Sequence, residues 1–281
     1  MTTSKQRIAA RQLAAGLVLA LLGATGQATD LYGYRVVDKK PQSRDTFVQG
    51  LEIVDGQLYV SSGGYGESRV RRFDFASGEL DSERGVNPRL FAEGLTVLGD
   101  RLYLLTWRSR NLLVYNRADL TPVQRMQIPG EGWGLTNDGE QLIYGDGSDR
   151  LYFVSPGEHR ITRTLRVTEN GAPLTRLNEL EWIDGRIWAN IWQTDRIVII
   201  DPTDGTVEAS VDLKGLLPMV ERRSDTDVLN GIARNPADGG IWVTGKNWPW
   251  LYRIELVPAA GRETPADAGP ATPASAAPHQ P

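Results

Sequence analysis

Apolar residues along this chain alternate and pair; they do not recur at the three-to-four spacing of helices. In residues 93–107, EGLTVLGDRLYLLTW, Leu95 and Val97 precede a Gly99-Asp100 turn, and Leu102 and Tyr103 follow it. Apolar segments of this length on both sides of a Gly-Asp turn predict a β-hairpin. The same hairpin returns as QGLEIVDGQLYVSSG (49–63), WGLTNDGEQLIYGDG (133–147), NELEWIDGRIWANIW (178–192) and, with two extra residues in the turn, NGIARNPADGGIWVTGK (230–246). One column of the repeat is apolar throughout: Leu51, Leu95, Leu135, Leu180 and Ile232. The column before it, Gly50, Gly94, Gly134, Glu179 and Gly231, steps by 44, 40, 45 and 52 residues.

Between these copies lie second hairpins, at 68–85, 111–129, 150–167 and 196–213, where apolar residues alternate around Gly, Asp and Pro turns. Two hairpins per copy make a four-stranded antiparallel unit, and a period of about 40–50 residues marks a β-propeller. Five copies therefore predict an all-β, five-bladed β-propeller; the alternative, an irregular sandwich, does not account for five in-register repeats. The last copy supplies only one further strand, WLYRIELVP (250–258). The unpaired segment LYGYRVVDK (31–39) is predicted to complete that blade and close the ring, leaving no sheet edge open.

The two ends of a hairpin lie side by side, and the first strand of each blade lines the channel. The residue before the repeat glycine and the residue closing the hairpin should then meet on one face. The first column is Gln49, Glu93, Trp133, Asn178 and Asn230; the second is Gly63, Trp107, Gly147, Trp192 and Lys246. A structural position repeats similar residues, and these columns do not. They collect an acid, a base, three amides and three tryptophans, which describes a pocket with aromatic walls and a few convergent polar groups. Trp188 and Trp242 fall in the apolar column and are expected in the core.

Both ends differ from the repeat region. Lys5, Arg7 and Arg11 precede the apolar run 13–24, with Gly26 and Ala28 placed for cleavage after Ala28. Residues 1–28 read as a signal peptide for export to the periplasm or beyond, the run being too short for a membrane span. Residues 258–281 are rich in Pro and Ala and are expected to form a disordered tail, leaving 29–257 as the folded, catalytic domain. There is no cysteine, so export brings no disulfide. The net charge of -4 argues against a nucleic-acid partner, and a monomer without membrane association is expected.

The two histidines, His159 and His279, lie in an outer turn and in the tail. Without a central His or any Cys, the Ser-His and Cys-His nucleophiles and a His-rich zinc site are excluded. Residues 137–149 hold acids without EF-hand spacing. Glu93 remains as the natural acid/base.

The stretches TFVQGL (46–51), LFAEGLT (90–96), LTW (105–107), GWGLTNDG (132–139), RLNELEWIDGRIWANIW (176–192), LNGIA (229–233) and VTGKNWP (243–249) resemble the plant and bacterial glutaminyl-peptide cyclotransferases, a five-bladed propeller family. The resemblance runs through nearly all of 45–256, in order through five repeats. Val48, Ala92 and Gly64 depart from the family pattern, and none belongs to the polar set. Such enzymes convert an N-terminal glutamine to pyroglutamate and release ammonia, the α-amine attacking its own side-chain amide. The resemblance implies Glu93 as proton shuttle, with Lys246 or Asn178 serving the oxyanion. It implies contacts to the substrate's polar groups from Gln49, Asn178 and Lys246, and apolar walls from Phe47, Phe91, Trp107, Trp133 and Trp192; Asn230, from the first column, either joins the substrate contacts or holds a turn with its amide. It implies peptides or proteins with N-terminal Gln as partners and no cofactor for catalysis, while leaving room for a structural ion in the channel. Two other functions compete: a calcium-dependent, lactonase-like hydrolase using Glu93, Asn178 and Asn230, and a propeller that binds peptides without turnover.

Overall fold

The computed structural model describes residues 29–158 and 160–259. The expected signal segment, all but the first two residues of the expected tail, and both histidines lie outside them. After β1 (Asp30–Pro41) come β2 (Val48–Val54), β3 (Gln57–Ser62), β4 (Arg69–Asp74) and β5 (Leu80–Gly85). The next group is β6 (Ala92–Leu98), β7 (Arg101–Thr106), β8 (Asn111–Asn116) and β9 (Pro122–Gln127). The third is β10 (Leu135–Asn137), β11 (Leu142–Gly145), β12 (Arg150–Ser155) and β13 (Arg160–Arg166), followed by the small ribbon β14 (Thr168–Glu169) and β15 (Ala172–Pro173). β16 (Leu177–Ile183), β17 (Arg186–Ile191), β18 (Arg196–Ile200) and β19 (Val207–Asp212) form the fourth. β20 (Leu229–Arg234), β21 (Ile241–Gly245) and β22 (Trp250–Pro258) end the described chain, and the helical content among the described residues is one 3-10 turn, Met219–Glu221.

The first three groups are separate four-stranded sheets in chain order. The rest is one eight-stranded sheet of order β16-β17-β18-β19-β1-β22-β21-β20. β1 pairs antiparallel with β22 from Tyr32 opposite Pro258 to Pro41 opposite Trp250. The N-terminal strand thus completes the last group, as the unpaired segment 31–39 predicts, and β22 runs through Pro258 into what the sequence assigns to the tail. A short parallel seam, Asp30–Tyr32 against Ala209–Val211, fuses the fourth and last groups into one sheet. The first strands close a circle: β2 lies against β6, β6 against β10, β10 against β16, β16 against β20, and β20 against β2. This is a propeller.

Burial falls outward along each group. Of β2, Val48–Ile53 are buried, whereas β9 is exposed at all but one position. The inner strands are sandwiched between neighbouring sheets and carry Leu, Ile and Val on both faces. The outer edges carry charges that discourage pairing with other chains, such as Glu83 held to Arg71 at 2.6 Å. Apolar clusters fill the wedges between sheets; Leu95, Leu102 and Leu104 pack with Tyr59 and Val70 of the preceding group. Trp188 and Trp242 are buried, as their column requires.

The glycine column marks where one inner strand crosses close to the next. A methyl group on Gly50 would lie 2.4 Å from Leu95 N, one on Gly94 2.4 Å from Leu135 N, and one on Gly134 1.9 Å from Asn178 O. The fourth copy has Glu179 instead. Its carboxylate crosses the axis, accepting from Leu51 N (3.2 Å) on β2 and Ile232 N (2.9 Å) on β20. Glu52 accepts from Val97 N (2.6 Å) and Glu181 from Arg234 N (3.0 Å). Glutamates therefore stitch the inner strands together from within the channel.

Burial raises the proton affinity of all three glutamates. Glu179 is raised further by Glu181, and Glu181 by Glu52. Burial pushes Glu52 up to about 7 against the bonds from Val97 and Thr96 and the charge of Arg117. A carboxyl raised in the folded state stabilises the fold fully below its unfolded value, and that stability is lost as pH climbs through the folded value. The Tm is therefore expected to fall on the order of 5 °C between pH 5 and 8, and Glu52→Gln to flatten the fall, as differential scanning calorimetry would read. A Tm that rises across this range would show these carboxyls to be ionised in the fold.

Candidate active site

A one-residue bulge sits at the head of four of the five first hairpins. Register slips by one between Val48 and Gly50, between Ala92 and Leu95, between Leu177 and Leu180, and between Leu229 and Ile232. Gln49, Glu93, Asn178 and Asn230 lie within these slips. A bulge re-aims the side chain that a regular strand would direct into a neighbour, and here it turns polar residues toward the axis. Backbone bonds hold the turn in place: Ser61 Oγ donates to Glu93 O (2.6 Å), and Gly94 N donates to Trp133 O (2.8 Å) across to the next sheet.

Phe47, Gln49, Phe91, Glu93, Trp107, Trp133, Asn178, Trp192, Asp227 and Lys246 line a single pocket of about 200 Å³ at this end of the channel. Larger hollows, of about 480, 410 and 360 Å³, open on the outer flanks and hold no buried charged side chain. In the pocket Gln49, Glu93, Asn178 and Lys246 are all buried.

Burial raises Glu93 well above the ordinary carboxylate range; the Lys246 charge opposes this and the Glu131 charge adds to it. Burial lowers Lys246, against the charges of Glu93 and Asp227. Lys246 Nζ stands 4.7 Å from the centre of the Phe47 ring. An acid held up and a base held down in a dry space are brought closer in proton affinity, which suits them to proton transfer. The pocket lining has no hydroxyl, thiol or imidazole among the described residues, so it offers neither a Ser-His nor a Cys-His pair.

The walls are ring on ring. Phe47 meets Phe91 edge-on at 6.2 Å and Phe91 meets Trp107 at 5.7 Å; across the mouth Trp133 meets Trp192 at 5.4 Å. The two glycines of the second column make room for these rings, since a methyl group on Gly63 would lie 2.3 Å from Phe91, and one on Gly147 2.7 Å from Trp133.

Asn230 departs from its predicted place. It is fully buried and absent from the lining. Its amide donates to Val48 O (2.9 Å) and to Gln49 Oε1 (3.3 Å). This orients Gln49, whose own amide nitrogen then remains to donate into the pocket. The two pocket columns miss three residues. Glu131 lies two residues before Trp133 and accepts from the indoles of Trp107 (2.8 Å) and Trp133 (3.1 Å). Asp227 comes from the long connection before the last copy. Glu179 stands in the glycine column, where its break from the pattern was the only sign.

Comparison with known proteins adds three findings. Residues 8–256 match the family described as Glutamine cyclotransferase. A glutaminyl-peptide cyclotransferase of Arabidopsis thaliana is 37% identical over 233 residues, covering 81% of this chain and 72% of that one. The crystal structure of Myxococcus xanthus glutaminyl cyclase aligns with a TM-score of 0.75 at 32% identity, over 81% of this chain and 98% of its own.

Proposed function

The chain belongs to the glutamine cyclotransferase family, and we propose that its pocket converts the N-terminal glutamine of peptides and proteins to pyroglutamate, with Glu93 as proton shuttle. The observation that carries this reading is the buried Glu93 beside Lys246 in an aromatic lining without hydroxyl, thiol or imidazole. A substrate that contains both amine and amide meets that lack. A cavity of about 200 Å³ is below the usual size of ligand sites and suits a single terminal residue. The cyclic contact of first strands supports counting the strand groups as five blades.

The steps balance without water. The neutral α-amine attacks the side-chain amide carbon, the new C–N bond closes a five-membered ring, and the carbonyl electron pair moves to oxygen. The Glu93 carboxylate takes a proton from the attacking nitrogen and passes it to the amide nitrogen. The oxyanion then collapses, the old C–N bond breaks, and ammonia leaves. Asn178 and Lys246 are the donors to the oxyanion, where such bonds contribute most. The Gln49 amide nitrogen holds a substrate carbonyl. The aromatic wall excludes water and folds the substrate into attack geometry, an effect that can supply about 7 kcal/mol or more.

All these groups belong to the protein, so we propose that turnover needs no metal. Ammonia release from a Gln-peptide, followed by a coupled assay, is expected to persist unchanged after exhaustive chelation and to be absent with the Nα-acetylated Gln-peptide, whose blocked amine cannot attack. Loss of turnover on chelation, restored by calcium, would overturn the metal-free mechanism; an undamaged enzyme that never releases ammonia would overturn the function.

A further inference from the structure

Two aromatic pairs, Phe91 with Trp107 and Trp133 with Trp192, come from different sheets, and nothing in their ring contacts joins one pair to the other. The join is Glu131. Its Oε2 accepts both indole N–H groups, at 2.8 Å from Trp107 and 3.1 Å from Trp133. Its Oε1 faces Arg108 Nε at 3.7 Å, and the Arg108 guanidinium stacks over the Trp107 ring at 4.1 Å. We propose that Glu131 is a positioning residue of this site, clamping Trp107 and Trp133 into one rigid wall around the substrate.

Both indoles need acceptors where they are sheltered, yet separate acceptors would satisfy them equally. One shared oxygen instead fixes the distance between two blades at the pocket's edge. Arg108 stands on the solvent side of the other oxygen at 3.7 Å, too far for a hydrogen bond, so the two indole bonds are what fix the carboxylate. Charge-assisted bonds of this kind are about twice as strong as neutral ones, and a misplacement of about 1 Å costs roughly 10²-fold in rate.

The clamp also acts through its charge. Glu93 faces Lys246 and Glu131, Lys246 faces Asp227, and Glu131 faces Arg108. The negative Glu131 raises the proton affinity of Glu93, so geometry and proton transfer are tied to one residue.

Because both indole bonds end on Oε2, Glu131→Gln can keep them through its carbonyl oxygen while removing the charge; Glu131→Ala removes both. The inference rests on the cyclase function, and its test therefore includes a readout that needs no turnover. Near-UV circular dichroism is expected to keep the indole bands in E131Q and to lose much of them in E131A. With a Gln-peptide, E131A is expected to raise KM about 10-fold, the equivalent of one charge-assisted bond. E131Q should hold KM and move the acid limb of its kcat–pH profile to lower pH. Unaltered indole bands and KM in E131A would overturn the clamp. An unmoved acid limb in E131Q would overturn the role of its charge. If wild-type protein releases no ammonia the cyclase function fails, and the dichroism of E131A still decides the clamp.

Discussion

Replacing Glu93 with Gln is expected to lower kcat for ammonia release from a Gln-peptide by about 10²–10⁴-fold, the usual worth of a positioned acid/base. KM should stay within about threefold, because the amide has the same shape and the loss falls on the transition state. The backbone at Glu93 is held by Ser61 Oγ and Trp133 O, and none of those bonds uses the carboxyl. Burial already drives this carboxyl toward its neutral form, so a neutral amide should fold at least as well. The pH profile gives an independent check. Turnover requires Glu93 ionised, and its acid limb should lie above the ordinary carboxylate range. In the variant that limb should vanish, leaving only the substrate amine, which loses its proton near 7.7–8.0. Wild-type turnover in folded E93Q would remove Glu93 from the mechanism.

Gly134→Ala should be the most damaging of the small substitutions. The added methyl would stand 1.9 Å from Asn178 O and 2.7 Å from Leu180 Cγ, distances no side chain rotation relieves, since the nearest neighbour is backbone. Either β10 or β16 must move. The expected cost is about 3 kcal/mol or more, a fall in Tm of roughly 6–12 °C. Activity should drop in the fraction that still folds, because the displaced peptide carries Asn178. Gly157→Ala, where the methyl meets nothing within 4 Å, is the control and should leave Tm unchanged. Equal Tm values for the two variants in a thermal scan would show that the strands at Gly134 have slack that the structure does not.

The hairpin repeat was legible because its apolar column recurs at every copy, and Leu51, Leu95, Leu135, Leu180 and Ile232 are all buried. The pocket was legible for the complementary reason: positions facing an axis have no uniform environment, so Gln49, Glu93, Trp107, Trp133, Asn178, Trp192 and Lys246 vary where a core position would repeat. Phe47 and Phe91 fell outside the columns and were reached through family resemblance. What column membership does not specify is which way a bulge turns a side chain. Asn230 shares its column with Glu93, yet packs against Gln49. Glu131 and Asp227 sit in connections of unequal length, where no repeat register exists to align them. The parallel seam between β1 and β19 spans three residues, too few for any alternation to reveal.

The pairing of β1 with β22 also decides how the molecule can be held. At one end of this ribbon Pro41 faces Trp250, and Asn247 N donates to Thr46 O (2.9 Å), next to Phe47 of the pocket. At the other end Tyr32 faces Pro258, and Ala259 N donates to Leu31 O (3.0 Å). The strand between them, at about 3.3 Å per residue, separates the two ends by roughly 26 Å. The chain therefore enters and leaves the ring side by side, on the face opposite the mouth. A solid support or a carrier protein attached at Leu31 or Ala259 would therefore sit on that face and leave the mouth clear for arriving polypeptide ends.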